Sequence, residues 1–372
     1  KEIPSPSETI PSPLPTRPEK RPEKQDQNAW VVGKEEGLSL SGINPRACRE
    51  GEIEVDVRAI GVNFIDILAS VGMHPQIKED RFIPGHEVAG EIVDIGSDVD
   101  SSYMGKRVAV EMIGHGRACA QCWYCRFGQY RQCTNLIPSE GGGFAQFIKR
   151  KASGCYEVHA ETTWGEAALV EPLAVSIHAM RRGELRGGES VVVLGAGNIG
   201  LTAVAAAKKM GAGQVFVTAR HKHQSDMALA LGADVVVEPD GLQLKAAVES
   251  ATEGRGADLT IETVGGNKSD TLVQAVDVTR MQGRIVILGG FRKPLEFDWL
   301  TPLLKEQAFL FSSCYGILNG KHDYEIAIEM LSSQNNNLSS MITHIYSLSE
   351  IQKGFESAYD KSSGSIKVQI HQ

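Results

Sequence analysis

Four cysteines lie close together in the first half of the chain, at a spacing that suits a metal ion. Cys119, Cys122, Cys125 and Cys133 follow the pattern C-x2-C-x2-C-x7-C, and only three other cysteines occur in the 372 residues. Zinc in a structural site takes four tetrahedral ligands, which four thiolates provide. The alternatives are a chance cluster or disulfides, and the lack of a secretory signature disfavours disulfides. The spacing predicts a structural zinc that folds a lobe at about 114–136 and performs no chemistry.

A glycine-rich turn later in the chain has the pattern that binds dinucleotides. Gly195, Gly197 and Gly200 form G-x-G-x-x-G with Asn198 and Ile199, after an apolar run and before an alanine-rich segment. The three glycines allow the sharp turn, the close approach of backbone to pyrophosphate, and the close packing of helix on strand. The N–H groups and dipole at the helix N-terminus favour the phosphate anion. We predict a dinucleotide site at these five residues; the alternative is a glycine turn without a ligand.

The end of the next strand indicates which dinucleotide is bound. An Asp or Glu about 20 residues after the glycine turn binds the ribose 2′-OH of NAD. Here Thr218 is followed by Ala219 in place of that acid, and then by Arg220 and His221. A guanidinium pairs well with a 2′-phosphate, which a carboxylate would repel. The pattern favours NADP(H) bound by Thr218, Arg220 and His221, and the alternative is a solvated basic turn.

Two patterns of hydrophobic residues indicate the secondary-structure elements that must position these groups. Residues 30–178 show short, glycine-punctuated strands such as 53–60, which alternates with period two and is typical of a barrel-like β domain. From about residue 182, buried strands alternate with helices, beginning with the apolar run 190–194, and this predicts a doubly wound parallel sheet. The chain is then predicted to end with helices at 324–331 and 349–360 and a strand at 365–370.

Composition excludes several classes of partner. The net charge of −8 argues against nucleic acid or an anionic membrane, and no apolar run is long enough for a membrane helix. Reduced cysteines fit a cytoplasmic protein. Residues 1–29 hold almost half of all the prolines and are followed by the first strand pattern, so we predict a disordered N-terminal extension there.

Together these features resemble the medium-chain dehydrogenase/reductase superfamily, in particular its zinc-containing alcohol, polyol and sorbitol dehydrogenase branch. The resemblance covers about 30–372 and rests on residues 84–90, the cysteine lobe, 143–147, 171–179 and the dinucleotide turn. It implies a GroES-like catalytic domain at 30–178, a Rossmann domain at 179–314 and a return to the catalytic domain at 315–372. It also implies a small-molecule substrate bound in the cleft between the domains, and a homodimer or homotetramer.

The resemblance also implies a catalytic zinc, but part of its ligand set is changed. In that family the zinc takes a Cys from Gly-x-Cys-x-[Ser/Thr]-Asp, a His from Gly-His-Glu, and a Glu or Cys further on. His86, Glu87 and Glu171 match, and Asp66 is kept, but Asn63 replaces the thiolate and Ile65 replaces the proton-relay hydroxyl. An amide oxygen is a weaker ligand for zinc. Two interpretations therefore stay open. His86, Glu87 and Glu171 bind a labile zinc, or His86 is a hydrogen-bonded turn residue and the two acids form structural pairs.

Residues 61–66 also resemble the quinone-oxidoreductase branch of the same superfamily, whose members lack zinc at the active site. Those enzymes pass hydride from NADPH to an activated C=C, and a group such as Asn63 can hydrogen-bond the substrate carbonyl. Three functions are thus open. The first is carbonyl/alcohol chemistry at His86, Glu87 and Glu171, the second is alkene reduction with Asn63 and Asp66, and the third is a cofactor-binding sensor or scaffold.

Overall fold

The computed structural model of the chain describes residues 27–33, 37–43, 46–71, 81–137, 141–333 and 337–372. Residues 1–26 of the predicted extension lie outside the described residues. The first strand begins at Gln27, three residues before the boundary expected from the proline content. Its tryptophan, Trp30, donates from Nε1 to the carbonyl of Leu348 (2.6 Å), so the start of the described chain packs on its C-terminal region.

The N-terminal half is β-rich, as predicted. Its strands are β1 (Gln27–Gly33), β2 (Gly37–Ile43), β3 (Glu52–Gly61), β4 (Arg81–Phe82), β5 (Glu87–Ile95), β6 (Arg107–Glu111), β7 (Phe147–Lys151) and β8 (Cys155–Glu157). Its helices are α1 (Phe64–Ser70), α2 (Trp123–Arg126), α3 (Trp164–Ala168) and α4 (Val170–Arg182). The inward side chains of β3, β5 and β6 are almost all Val, Ile or Ala. The Val and Ile residues form one buried core, whereas Ala59, Ala89 and Ala109 pack into a second core that contains α4.

The doubly wound parallel sheet is confirmed. Its strands are β9 (Ser190–Leu194), β10 (Gln214–Thr218), β11 (Val235–Val237), β12 (Ala257–Glu262), β13 (Thr279–Ile287) and β14 (Ala308–Phe311), in the spatial order β11-β10-β9-β12-β13-β14. Its helices are α5 (Asn198–Lys209), α6 (Lys222–Ala230), α7 (Gly241–Ala251), α8 (Asp270–Val278) and α9 (Leu300–Leu304). β9 is fully buried along its length, because helices cover both faces of a parallel sheet.

The chain then returns to the first sheet. The remaining elements are β15 (Ile317–Leu318), β16 (Lys321–His322), α10 (Asp323–Ser332), β17 (Ile342–Ser347), α11 (Ile351–Tyr359) and β18 (Lys367–His371). β17 and β18 complete a seven-stranded sheet in the order β17-β18-β3-β5-β6-β8, with β7 on β3. β18 therefore brings C-terminal side chains beside the turn that follows β3.

Helix α4 lies between the two halves, and the domain boundary predicted at 178/179 falls inside it. Its buried side chains belong to a core that also contains residues of β9, α5 and α10. Among the described residues, no helix combines the length and the apolar composition that crossing a membrane requires.

Candidate active site

The predicted catalytic residues come from three parts of the chain that meet around Glu87. They are called the cleft centre, together with Lys367, after the cleft that the family resemblance implies. Asn63 is the N-cap of α1, and Asp66 lies in its first turn. Together they form a reciprocal capping box that stabilises the start of the helix. His86 directly precedes β5, Glu87 is the first residue of β5, and Glu171 lies in the first turn of α4. The capping box fixes the backbone of Asn63 and Asp66, and strand pairing fixes that of Glu87.

Asp66 holds the His86 ring in place. The fully buried Asp66 carboxylate accepts the backbone N–H of Asn63 (3.0 Å) and of Gly85 (2.9 Å), and its Oδ1 lies 3.2 Å from His86 Nδ1. Gly85 has φ +108°, which an L side chain rarely adopts. The His86 side chain is 31% exposed, so its Nε2 edge is the one left for a ligand.

Glu87 is tied to two groups. Its Oε1 accepts from Asn63 Nδ2 (3.0 Å), and its Oε2 forms a close ion pair with Lys367 on β18. Both charged side chains are fully buried. Lys367 Nζ also donates to the carbonyl of Val62 (3.2 Å). A buried ion pair persists only where further hydrogen bonds satisfy its members, as they do here.

Glu171 and Tyr315 are buried polar residues with unsatisfied atoms. In the described parts of the chain, Glu171 Oε2 and the Tyr315 hydroxyl have no partner at full hydrogen-bond geometry, although only 6% and 2% of these residues are exposed. The two side chains are neighbours, since Tyr315 acts to lower the pKa of Glu171. Burial, and then the neighbouring Glu87 carboxylate, raise the pKa of Glu171 well above its ordinary range, while Lys367 opposes the rise. The neutral acid is therefore favoured.

The predicted ligands do not fit a catalytic zinc. Catalytic zinc sites use three protein ligands. Both Glu87 oxygens are already paired, and the Asn63 amide turns a donor toward the site. The ligand atoms of His86, Glu87 and Glu171 do not form a metal-binding group among the described residues.

The four cysteines of the lobe do converge. Their sulfurs lie 3.4 Å (Cys122–Cys125), 3.5 Å (Cys119–Cys133) and 4.0 Å (Cys119–Cys125) apart. Tetrahedral zinc with Zn–S bonds of about 2.3 Å requires sulfurs about 3.8 Å apart, so the donor set fits the ion. Backbone N–H groups, chiefly that of Cys125, lower the pKa of the Cys122 thiol to about 6, which favours a thiolate ligand.

The lobe has little core besides these thiols. Its buried cluster consists of Ala118 and the cysteines, with Tyr130 and Leu136 packed against it. The lobe docks on β15, where the N–H of Ile317 donates to the carbonyl of Gly128 (3.0 Å). A side chain at Gly128 would collide with Ile317, so this contact requires the glycine. A metal ion would therefore supply the cohesion that apolar burial does not.

A third group of possible metal ligands is absent from the sequence-based predictions. Glu111, His115 and His322 have ligand atoms within 4.8 Å of one another. His322 Nδ1 accepts the backbone N–H of Tyr324 (3.1 Å), so its Nε2 keeps the proton and faces Glu111 Oε2 at 3.2 Å. Glu111 also accepts from the backbone N–H of His115 (2.5 Å) and the Tyr156 hydroxyl (3.3 Å). This group is a buried network that joins β6 to α10.

The glycine turn between β9 and α5 has the shape of a dinucleotide site. A Cβ on Gly200 would lie 1.9 Å from the Gly195 carbonyl oxygen, whereas one on Gly197 would meet no atom within 4 Å. Gly200 thus permits close packing, and Gly197 borders open space in which a pyrophosphate fits. Asn198 Oδ1 is buried there without a partner among the described residues. Ile199 contributes its carbonyl, which accepts from Ser176 Oγ (3.2 Å).

Thr218 and the residues after it have different roles. Thr218 Oγ1 is buried and accepts the N–H of Gly195 (2.8 Å), so it fixes the turn. Arg220 is exposed and has no ion-pair partner in the described parts of the chain. His221 is the N-cap of α6, and its ring stacks on His223 at 5.4 Å. The end of β10 therefore presents cationic and aromatic groups without a carboxylate.

Lys367 and Tyr315 are site residues that the sequence-based reasoning missed. Both come from the C-terminal part of the chain, far in sequence from the residues that they meet. The alternating pattern at 365–370 did not indicate that Lys367 would be buried. In the structure Lys367 begins the buried strand β18, and a buried lysine needs an acidic partner.

Comparison with known families supports both halves of the fold. Residues 49–160 match the family described as "Alcohol dehydrogenase GroES-like domain", and residues 198–333 match "Zinc-binding dehydrogenase".

Curated relatives match over most of their length. Sorbitol dehydrogenase of Bacillus subtilis is 30% identical over 356 residues, which is 93% of this chain and 98% of that protein. Human sorbitol dehydrogenase is 32% identical over 287 residues, covering 75% of this chain and 77% of the relative. Among solved structures, an Escherichia coli oxidoreductase/dehydrogenase of unknown specificity superposes with a TM-score of 0.84 at 28% identity, covering 93% of this chain and 99% of that one.

Proposed function

We propose that this chain, which belongs to the zinc-type branch of the medium-chain dehydrogenase/reductase superfamily, catalyses NADP(H)-dependent hydride transfer to or from a carbonyl or alcohol. The bound cofactor supplies or accepts the hydride. The sorbitol dehydrogenase relatives favour a small, polar, polyol-like substrate. The residues of this chain must then hold the substrate oxygen near the dinucleotide turn.

The observation that carries this proposal is the pair of unsatisfied polar atoms on Glu171 and Tyr315. Buried polar groups are nearly always hydrogen-bonded. Glu171 Oε2 and the neighbouring Tyr315 hydroxyl are not fully satisfied by the described residues, which supports a bound ligand between them. A hydroxyl or carbonyl oxygen can meet both of them. The neutral Glu171 carboxyl can donate as well as accept, whereas a charged one could only accept.

Helix packing fixes Glu171 relative to the cofactor site. The residue after it, Pro172, accepts from Thr202 Oγ1 of α5 (3.3 Å). One turn later, Ser176 donates to the carbonyl of Ile199, in the first turn of α5. The helix that carries Glu171 is therefore hydrogen-bonded to the helix whose N-terminus would hold the pyrophosphate.

A substrate panel tests the proposal. NADPH oxidation and NADP⁺ reduction would be followed with aldehydes, ketones, ketoses and polyols. We expect turnover with at least one of them, and a fall in kcat/KM of about 100-fold in Glu171→Gln, as is typical when a proton-transferring group is lost. Glu157→Gln, at an exposed surface ion pair, is the control. NADPH binding without turnover on any compound would instead favour a sensor or scaffold.

The cofactor preference has its own test. Arg220 is expected to pair with the 2′-phosphate, and charge-assisted hydrogen bonds are worth about 1.5–3 kcal/mol. Arg220→Ala should therefore weaken NADPH binding by about 10–100-fold and leave NADH binding nearly unchanged. Lys222→Ala is the matched control, because Lys222 already pairs with Asp226. An unchanged NADPH/NADH ratio in Arg220→Ala would contradict the assignment.

Reduction of an activated C=C without catalytic zinc is the second candidate function. The observation that favours it is the Asn63 amide, which presents hydrogen-bond donors where a zinc-binding thiolate would stand. Enones and quinones added to the panel would separate the two functions. Turnover restricted to these compounds would favour the second.

We also propose that the cysteine lobe binds one structural zinc and that the chain forms a homodimer through β14. This strand lies at an open edge of its sheet, and its Phe311 is 70% exposed. The neighbouring strand β13 and the segment of α9 carry further exposed apolar side chains: Met281, Trp299, Leu300, Leu303 and Leu304. Two copies related by a two-fold axis could pair such edges and bury the patch.

Light scattering during size exclusion tests the dimer. Phe311→Lys should shift the mass toward the monomer, because it places a charge in the apolar interface. Tyr359→Lys, at an equally exposed aromatic residue on α11, should leave the mass unchanged. A wild-type monomer would contradict this proposal without affecting the assignment of the active site.

A further inference from the structure

We propose that the cleft centre works without a metal ion, and that an Asn63–Glu87–Lys367 chain fixes the Asn63 amide as the donor to the substrate oxygen. The first part stands on geometry alone, and the second rests on the proposed function. Both follow from how the hydrogen bonds of three neighbouring side chains are assigned.

The orientation of the Asn63 amide is determined by its two neighbours. One side faces the backbone N–H of Ile65 at 3.0 Å, so that atom must be the carbonyl oxygen. The other faces the Glu87 carboxylate at 3.0 Å, so that atom must be the amide nitrogen. A rotated amide would set donor against donor and acceptor against acceptor. The oxygen that a metal would need is therefore engaged in capping α1.

The ion pair with Lys367 makes Glu87, the second possible ligand, unavailable to a metal ion. The Lys367 ammonium pairs with Glu87 Oε2 and is anchored by the carbonyl of Val62, and neither charged side chain is exposed. A divalent cation on Glu87 would have to displace this ammonium or share the carboxylate with it. Breaking a buried ion pair leaves an uncompensated charge, which strongly destabilises the fold.

The second N–H of the Asn63 amide is then the hydrogen-bond donor of this side chain that remains for a substrate oxygen. Asn63 is partly exposed, and its neighbours Phe64 and Ile65 are exposed at the mouth of the cleft. Arg292 of the Rossmann domain lies over the Phe64 ring at 5.1 Å, which places this segment opposite the cofactor domain. A preorganised N–H can stabilise negative charge that develops on a carbonyl oxygen. Lys367 and Glu87 act as positioning residues for it.

Zinc analysis of the full-length protein tests the first part. The protein would be purified without added metal, equilibrated with zinc and freed of excess by desalting. We expect one zinc ion per chain, and none in Cys125→Ser. A second zinc that survives Cys125→Ser and is lost in His86→Ala would overturn the inference. This readout needs no substrate, so it decides the question even if the proposed function fails.

Kinetics of Asn63→Ser test the second part. Serine keeps the helix cap but lacks the amide N–H. We expect kcat to fall by about 100–1,000-fold, as when an oxyanion donor is removed, with the NADPH Kd little changed and the thermal midpoint lowered by the lost hydrogen bond to Glu87. A smaller, parallel loss in Lys367→Met that Lys367→Arg restores would identify the positioning role. Full kcat in Asn63→Ser would overturn the assignment of the donor.

Discussion

The cysteine lobe and the cleft centre both carry residue types that bind zinc, yet their side chains are used in opposite ways. The lobe thiols point at one another, with sulfurs 3.4–4.0 Å apart for the three closest pairs. In the cleft, Asp66 and Glu87 are committed to partners within the protein, as is the Asn63 amide. A set of ligand types predicts a metal site only when its lone pairs are left unclaimed.

The largest effect should follow from breaking the lobe. Cys125→Ser removes one of four thiolates, and binding of structural zinc is worth about 10–16 kcal/mol in small zinc domains. We expect loss of the zinc and a much lower thermal midpoint. Metal analysis and calorimetry check this. Cys155→Ser, at a buried cysteine outside the lobe, should keep its zinc; equal loss in both variants would show that the lobe is not the site.

The next effect concerns the buried pair in the cleft. Lys367→Met leaves Glu87 buried and unpaired, so we expect the free energy of unfolding to fall by about 3–5 kcal/mol. Lys367→Met combined with Glu87→Gln should recover much of that loss. Lys321→Met removes the same type of pair from the surface, where it is worth about 1 kcal/mol or less. Denaturant titration measures all three, and equal losses at Lys367 and Lys321 would contradict the buried pair.

A smaller effect should follow from changing the Asn63 amide to an acid. Asn63→Asp keeps the helix cap but sets a second carboxylate against Glu87, for a loss of about 1–3 kcal/mol. The repulsion requires both acids to be charged, so the loss should shrink toward acidic pH. Stability curves at neutral and acidic pH check the sign. A loss that grows toward acidic pH would argue against contact with Glu87.

The smallest effect should be at the Glu111 network. Glu111→Gln keeps the shape and replaces one acceptor, for about 1 kcal/mol of stability. If that network is a third zinc site, metal analysis of the variant will show less zinc than the wild type. We expect the same zinc content, since His322 Nδ1 is already an acceptor.

Local patterns made the fold and the two ligand-binding turns predictable. The strand 190–194, the glycine turn and the alanine-rich helix follow one another in sequence, and the structure keeps that order. The spacing of the four cysteines likewise predicts that their sulfurs meet, because all four lie in one short continuous segment. In both cases, partners close in sequence determine the geometry.

The partners in the cleft could not be predicted in the same way. Asn63 is recognisable as a change from a thiolate, but which of its amide atoms faces the site depends on Glu87 and on the cap of α1. Lys367 reaches Glu87 only because β18 pairs with β3. The predicted domain boundary at 178/179 lies within a helix, because α4 packs on both halves of the molecule.

The hydrogen bonds from α5 to α4 have a consequence for motion. Thr202 and Ser176 tie the first turns of α4 to α5, while His86 is tied to Asp66 on α1. Because α4 also packs on the β-rich half, it connects the glycine turn mechanically to the residues around His86. A displacement of the glycine turn, such as one caused by a bound dinucleotide, should therefore be transmitted to Glu171 through these two hydrogen bonds.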